Sequence, residues 1–365
     1  MSRKLASIKT ISDIQPIEKR DRIELAIVDG WQIIVRKDEY QIGDKTIFVE
    51  IDSVLPELPE FEFLRSKKFR IKTMKMAGVL SQGICLPLSI LPKDREYNLE
   101  DDVTEIIGIK QYEGTRDIES EEKVFENNKK FQHPIFKFLF KYSFFRNILL
   151  PKKQNKGFPE FIHKTDECRI QNMPFILNNK NNTYIVREKI DGQSGTFFLK
   201  RKSKKWFWQK EGYDFGVCSR NLRLWNRTDS SYWFVAKKCN IKEVLMKLIK
   251  DNDFVAIQGE CISPRVQGNK YKVSEPDLYV FNLIYPDGKV CCLWGEEILN
   301  YHGIKWCPLI NQNYILPDSV NELLDYSTGN SKLHNTLREG IVCRNYKNKI
   351  SFKAVSPDFL IKNDE

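Results

Sequence analysis

A lysine closes the apolar run Tyr184-Ile-Val-Arg-Glu-Lys189, and an Asp-Gly pair follows one residue later at Asp191 and Gly192. This pattern puts an amine at a strand end, immediately before a turn. An ammonium is not a nucleophile, so covalent chemistry there needs neighbours that favour the neutral amine, such as a metal ion and a second cation. Downstream, in order, come Ser219-Arg220-Asn221, then Gln258-Gly259-Glu260 closing an apolar strand, then Phe281 inside an apolar run. Glu339-Gly340-Ile341-Val342 and Ser351-Phe352-Lys353 complete the series. Lys353 can supply the second cation and neutralise charge growing on a phosphate as Lys189 attacks in line. Mg²⁺ keeps much of its water and binds through few carboxylates, so Asp191, Glu260 and Glu339 are enough to hold it, in part through water. Phe281 offers a flat face to a purine. Taken singly these residues have plainer readings: Phe281 as core, Glu260 and Glu339 as strand-end surface carboxylates, Lys353 as an exposed lysine. Their order is what argues for chemistry.

That order resembles the covalent nucleotidyltransferase superfamily of ATP-dependent ligases and capping enzymes. Within it the chain is similar to RNA ligases that carry an OB module ahead of the catalytic domain. Two further strings carry this narrower resemblance: Lys164-Thr-Asp-Glu-Cys168-Arg169-Ile-Gln-Asn172, and Arg70-Ile71-Lys72 with Ser81-Gln82-Gly83. The likeness covers nearly all of residues 6–365. It implies an ATP-dependent RNA ligase of RNA repair, in which Lys189 takes AMP from ATP and passes it to an RNA 5′-phosphate. The 3′-hydroxyl of a second end then displaces AMP. The implied cofactors are ATP, with AMP carried covalently on Lys189, and Mg²⁺ or Mn²⁺; the implied partner is RNA with 3′-hydroxyl and 5′-phosphate ends.

The resemblance makes Lys189, Asp191, Glu339 and Lys353 the catalytic set. It brings Ser194 and Arg220 to the adenosine sugar and phosphate region and Glu260 to a ribose hydroxyl. Glu188 and Ile190, flanking the nucleophile, can present backbone groups to the base edge and phosphate. Arg169 suits pyrophosphate or an RNA phosphate, because a forked guanidinium matches a tetrahedral oxyanion. Two departures stand out. Many relatives carry two lysines one residue apart in the last motif, whereas Lys353 has Ser351 and Val355 at those distances; a second cation comes from Lys349 or Lys362, or is absent. The chain also ends soon after Lys353, which leaves no room for a C-terminal OB module and favours an RNA ligase over a DNA ligase or capping enzyme. The rival readings are a GTP-using RNA guanylyltransferase and a catalytically inert RNA-end-binding protein.

The elements that must position these residues read as an α+β chain in three parts. Residues 1–108 hold short strands between turn signals, including DRIELAIVDG, WQIIVRKDEY and QIGDKTIFVEIDSVLP, the pattern of an OB-like β-barrel. Residues 109–160 read as a linker with a connector helix over 135–150, closed by Pro151, Gly157 and Pro159. Residues 161–365 read as an adenylyltransferase domain of antiparallel sheets with flanking helices. Its strands are YIVREKI, GTFFLKR, KWFWQKEG, FVAIQGE, LYVFNLI, GIVCRN and KISFKAV, with IKEVLMKLIK an amphipathic helix.

The charge of the chain is uneven. Of 59 basic residues against 49 acidic ones, six lie between Leu64 and Pro92 with no acid among them: Arg65, Lys67, Lys68, Arg70, Lys72 and Lys75. Six more lie between Pro134 and Pro159, again with no acid. Concentrated positive charge fits a polyanion, and the first stretch is the candidate RNA-holding surface. The segment IFKFLFKYSFFRNILL is too short and too charged to span a membrane. The N-terminus lacks the apolar core of a secretory signal, and nine scattered cysteines without a C-x-x-C read as reduced thiols, so the expectation is a cytoplasmic protein with no membrane partner. Four histidines without clustering argue against zinc or histidine-based hydrolysis.

Overall fold

The computed structural model describes residues 4–112, 156–164, 166–202, 212–224, 230–289 and 292–363. The front strands are β1 (Ala6–Thr10), β2 (Asp13–Pro16), β3 (Ile23–Val28), β4 (Trp31–Arg36), β5 (Lys45–Val49), β6 (Ser53–Val54), β7 (Arg70–Ile71), β8 (Thr73–Met76), β9 (Val79–Gln82), β10 (Ile84–Leu86) and β11 (Lys110–Gln111). Then follow β12 (Lys156–Gly157), β13 (Cys168–Arg169), β14 (Thr183–Lys189), β15 (Gln193–Lys202), β16 (Gly212–Cys218), β17 (Leu222–Leu224), β18 (Phe254–Ile262), β19 (Asp277–Tyr285) and β20 (Gly288–Lys289). The last are β21 (Leu309–Ile315), β22 (Gly340–Asn345) and β23 (Ile350–Val355). Antiparallel pairing dominates and helices are few, so the chain is α+β, as its strand-rich pattern implies. Packing divides it into two compact units: Met1–Gly114 with Asp166–Ile190 and Pro308–Glu365, and Thr115–Thr165 with Asp191–Cys307.

In the first unit the front strands form three short sheets, β1-β5-β10, β2-β3-β4 and β11-β6-β7, and a hairpin, β8-β9. Alternation drives this: Trp31, Ile33 and Val35 are buried along β4 while Arg36 at its end is exposed. Asp29 and Gly30 make the two-residue turn between paired Val28 and Trp31. A side chain on Gly30 would put Cβ 2.8 Å from the Gln171 Cα, so glycine here permits a close approach of the segment after β13. That segment is bonded to the front strands throughout. The Gly30 N–H donates to the Gln171 carbonyl at 2.9 Å, Gln171 Nε2 donates to Gln82 Oε1 at 3.1 Å, and Asn172 Nδ2 donates to Glu50 Oε1 at 2.8 Å. Trp31 Nε1 donates to Asn172 Oδ1 at 2.5 Å.

The same unit holds a five-stranded sheet in the order β13-β23-β22-β14-β21, antiparallel except for β13 beside β23. One face is apolar: Tyr184 and Val186, Ile341 and Cys343, and Phe352 and Ala354 pack with Leu323 and Leu324 of the helix Val320–Ser327. Ser319 caps that helix by accepting from the Glu322 N–H, as the Ser-x-x-Glu spacing dictates. Beyond β23 the helix Pro357–Lys362 starts at the Ser356 cap, and Val355 and Leu360 enter the core of the front strands with Ile8, Trp31 and Phe48.

The second unit is a seven-stranded antiparallel sheet, β12-β17-β16-β15-β18-β19-β20. Phe198, Phe254, Ala256 and Ile284 share a core with Ile162, and Phe161 packs against it. The helix Ile241–Leu248 buries Ile241, Val244 and Leu245, the face its spacing specifies. Among the described residues no helix is long and apolar enough to cross a membrane. The connector helix expected over 135–150, the second basic stretch up to Lys153, and the strand KWFWQKEG before Gly212 lie outside the described residues.

Candidate active site

Lys189 is the last residue of β14 and stands opposite Gly340 of β22. Its Nζ lies 2.5 Å from Glu339 Oε1, an ion pair made possible because Glu339 immediately precedes that strand. Residues paired across a sheet share a face, and here a row runs Arg187, Val342, Lys353, Arg169 across β14, β22, β23 and β13. Lys189, two residues beyond Arg187, is on the same side. The apolar face of this sheet therefore builds the core, and the opposite face carries its cations.

Lys353 Nζ donates to Asp166 Oδ1 at 2.8 Å. Burial first, and then the positive charges of Arg169 and Lys189, pull its pKa down to about 8 against the opposing pull of Asp166. Arg169 is itself buried; Nη2 pairs with Asp52 Oδ2 at 3.0 Å, while Nε and Nη1 are buried without a hydrogen-bond partner. Two unsatisfied guanidinium donors on this face fit an anion such as phosphate. Lys349 sits exposed in the turn before β23 and Lys362 exposed on the last helix, whereas Arg169 and Lys189 are cations whose charges reach Lys353.

Glu188 points to the other side of β14 and is fully buried. Its Oε2 accepts from the Lys332 N–H at 2.8 Å, and Oε1 has no partner. Burial raises its pKa, opposed by the Ser331 hydroxyl and the Lys332 amide. The Glu188 N–H donates to the Pro308 carbonyl at 2.9 Å, so that amide is committed, and the open acceptor at this residue is on the side chain. Ile190, also buried, ends the middle segment of the first unit.

The remaining site residues belong to the second unit. Asp191 is buried; Lys270 Nζ lies 2.5 Å from its Oδ2, and its N–H donates to the Tyr271 hydroxyl at 2.9 Å. At Gly192 a β-carbon would stand 2.6 Å from the Cys261 carbonyl oxygen, so only glycine lets the turn lie this close to β18. Ser194 and Glu260 are direct partners across β15 and β18, and Glu260 is also opposite Tyr279 of β19. The register of β18 on β19 slips between the pairs Gln258 with Asn282 and Gly259 with Val280. Phe281 is the residue left over, a bulge that re-aims its ring, and it is half-buried, whereas a regular core position would be closed. Arg220 is exposed in the turn between β16 and β17, where Asn221 Oδ1 accepts from Lys164 Nζ at 3.0 Å.

Among the described residues no three His, Cys, Asp or Glu side chains are grouped to hold a metal ion directly. Glu339 Oε2, however, is buried without a partner. A carboxylate oxygen of that kind fits a hydrated divalent ion, which binds through one or two carboxylates and its own water. In the front module the basic stretch is not uniformly available. Arg65 is bound by Glu62 and Glu57, and the Arg70 guanidinium lies 3.5 Å from the centre of the Tyr112 ring, half-buried with Lys72. Lys67, Lys68 and Lys75 are exposed, with Lys67 Nζ 3.0 Å from Met74 Sδ. Asp52, Asp166, Lys270, Tyr271 and Lys332 are the site residues that the sequence does not single out for a role. Each touches a motif residue only through tertiary pairing, and apart from Asp166, which falls within the Lys164–Asn172 string without a role, no local pattern marks them.

Comparison with known proteins gives a consistent answer. A family model for RNA ligase matches residues 182–362, and an OB-fold domain model matches residues 5–88. The structure of Naegleria gruberi RNA ligase with PPi superposes with a TM-score of 0.80 at 28% identity, covering 100% of this chain and 99% of that one. The chain belongs to the RNA ligase family. A mutant of the Naegleria gruberi enzyme with ATP and Mn matches at TM-score 0.79 and 29% identity over 100% of both chains. Another with AMP and Mn gives TM-score 0.79 and 29% identity over 99% of each. A search of curated proteins finds no match. The OB-fold match covers β1 to β10, and the ligase match begins just before β14, which ends at Lys189.

Proposed function

We infer that the protein is an ATP-dependent RNA ligase that joins a 3′-hydroxyl end to a 5′-phosphate end, using a divalent metal. The observation that carries this reading is the Lys189 amine, held 2.5 Å from Glu339 on the cationic face of the sheet it shares with Lys353 and Arg169. Lys189 Nζ attacks the α-phosphorus of ATP; the new N–P bond forms as the bond to pyrophosphate breaks, and AMP stays on the lysine. Glu339 holds the amine in place and can accept its proton. Lys353 and the open donors of Arg169 offset negative charge on the phosphates. Glu339, Asp191 and Glu260 would hold a divalent ion through water, and such an ion would supply charge neutralisation and favour the neutral amine. AMP then passes to the RNA 5′-phosphate, and attack by the 3′-hydroxyl releases it.

Ser194, beside Glu260, and the re-aimed Phe281 are assigned to the nucleoside, with Glu188 and Ile190 flanking the nucleophile. Arg220 is assigned to the sugar and phosphate. The front residues Lys67, Lys68 and Lys75 are assigned to RNA, with Arg65, Arg70 and Lys72 shaping that surface. The modular division into an OB-like part (1–108), a connector (109–160) and a ligase part (161–365), and a cytoplasmic location, complete the proposal. To test it, a labelled 5′-phosphate strand is annealed beside a 3′-hydroxyl strand on a complement, and in parallel both ends are offered single-stranded, with ATP or GTP and Mg²⁺ or Mn²⁺. Joined product and transient RNA-adenylate with ATP are expected. Absence of joining, or a GTP-dependent transfer to an RNA end, would overturn the reading.

A further inference from the structure

The residues between β18 and β19 form a loop that the motif series does not include. Gln267, Gly268, Asn269 and Lys272 all have left-handed backbone, with φ of 51°, 62°, 52° and 48°. Asn269 locks the loop with both ends of its amide: Nδ2 donates to the Val273 carbonyl at 3.0 Å and Oδ1 accepts from the Val273 N–H at 2.9 Å. The loop, held in this way, presents two consecutive side chains to one target. Lys270 Nζ pairs with Asp191 Oδ2, and the buried Tyr271 hydroxyl accepts from the Asp191 N–H. Asp191, only 3% exposed, thus has its backbone and its carboxylate fixed from a single loop.

A carboxylate this buried is stabilised by a compensating cation. Asp191 is also a residue to which the proposed function assigns a divalent ion. One carboxylate with two prospective cations is a competition. We propose that Lys270 is the resident counter-ion of Asp191 and that a divalent ion must displace its ammonium to engage this carboxylate. Lys270 is then a positioning residue that keeps Asp191 oriented before metal arrives, at the expense of metal affinity in the nucleotide-free enzyme. The proposal relies on the ligase reading only for the identity of the incoming cation.

The test is Mn²⁺ binding to the full-length protein without nucleotide, read from the free-ion electron paramagnetic resonance signal and from the shift in melting temperature. Lys270→Met removes the competing charge and keeps the stem. It should bind Mn²⁺ roughly tenfold more tightly than the parent, and Mn²⁺ should raise its melting temperature more than it raises the parent's. Lys270→Arg should stay near the parent. Should Lys270→Met fail to fold without metal, Lys270→Gln keeps a hydrogen-bond donor without the charge and should show the same gain. Adding Asp191→Asn to either neutral variant should abolish the gain, which ties it to this carboxylate. Unchanged or weaker Mn²⁺ binding in the variant that folds would overturn the proposal and leave Lys270 as a structural pair alone. An AMP-adduct assay on the parent runs alongside, and its failure would refute the ligase reading without bearing on the Mn²⁺ comparison.

Discussion

Burial, with the charges of Arg169 and Lys189 beside it, lowers the pKa of Lys353 to about 8 from the ordinary 10.5. A lysine whose pKa falls on folding weakens the fold while it is charged, because the unfolded chain holds the proton more firmly. Between about pH 8 and the ordinary lysine value the unfolded state binds more protons than the native one, so this residue makes stability rise with pH across that window. Lys353→Met keeps the packing stem and drops the charge. It should melt above the parent at about pH 7, with the gap closing as pH approaches about 10. Paired thermal melts across that range read it directly, and a gap independent of pH would contradict the assignment. The motif residues themselves were legible because their chemistry is stated by type and order: a strand-end lysine, carboxylates after apolar runs, a late lysine. Their partners Asp52, Asp166, Lys270 and Lys332 were not, since each reaches its motif residue from at least 79 positions away or from another strand.

At the scale of elements, two small irregularities place the chemistry. Gly340 stands opposite Lys189, and a β-carbon there would lie 2.3 Å from the Ala354 carbonyl oxygen. Gly340→Ala must therefore move the start of β22 and with it Glu339. A stability loss of about 1–3 kcal/mol is expected, with most AMP-adduct formation lost. Thermal melting and adduct yield at a temperature where the variant is folded would show it, and a fully active variant would mean that Glu339 need not be held here. Phe281 in the bulge of β19 has the opposite profile. Phe281→Ala should leave the melting temperature nearly unchanged and raise KM for ATP in adduct formation, by an amount matching a base-stacking contribution of about 1–3 kcal/mol. A large drop in melting temperature with unaltered KM would assign the ring to the core instead. The strands were readable from alternation, and the helix Ile241–Leu248 from its period. The bulge was not, because register depends on the partner strand and leaves no mark in the run Leu278–Ile284 itself.

Across the whole molecule, the linear order of the chain and its packing diverge. β13 and β14 and the final three strands pack in one unit with the front strands, through Gly30, Gln82, Gln171, Asn172, Val355 and Leu360. Composition could separate a front part from a back part. It could not show that Arg169 would be bonded to Asp52, since that pairing spans 117 residues. The charge surplus also has a narrower use than its count implies, because Arg65 is neutralised by Glu62 and Glu57 just outside or at the edge of the acid-free stretch and Arg70 is packed on Tyr112. Replacing Lys67, Lys68 and Lys75 by Ala should weaken strand joining and reduce its salt dependence, by about one unit of log–log slope for each RNA phosphate that is no longer neutralised. Adenylylation of Lys189 should be spared. Joining rates over a salt series report this, and an unchanged slope would remove these lysines from the RNA surface.

The most direct measurement of the central claim is intact-mass and peptide-level detection of nucleotide on the purified protein after incubation with ATP and, separately, GTP in Mg²⁺ or Mn²⁺. One AMP per chain, mapped to Lys189, discharged by pyrophosphate and absent from Lys189→Ala, is the result expected. An adduct on another residue, a GMP adduct without AMP, or no adduct from either nucleotide would contradict it.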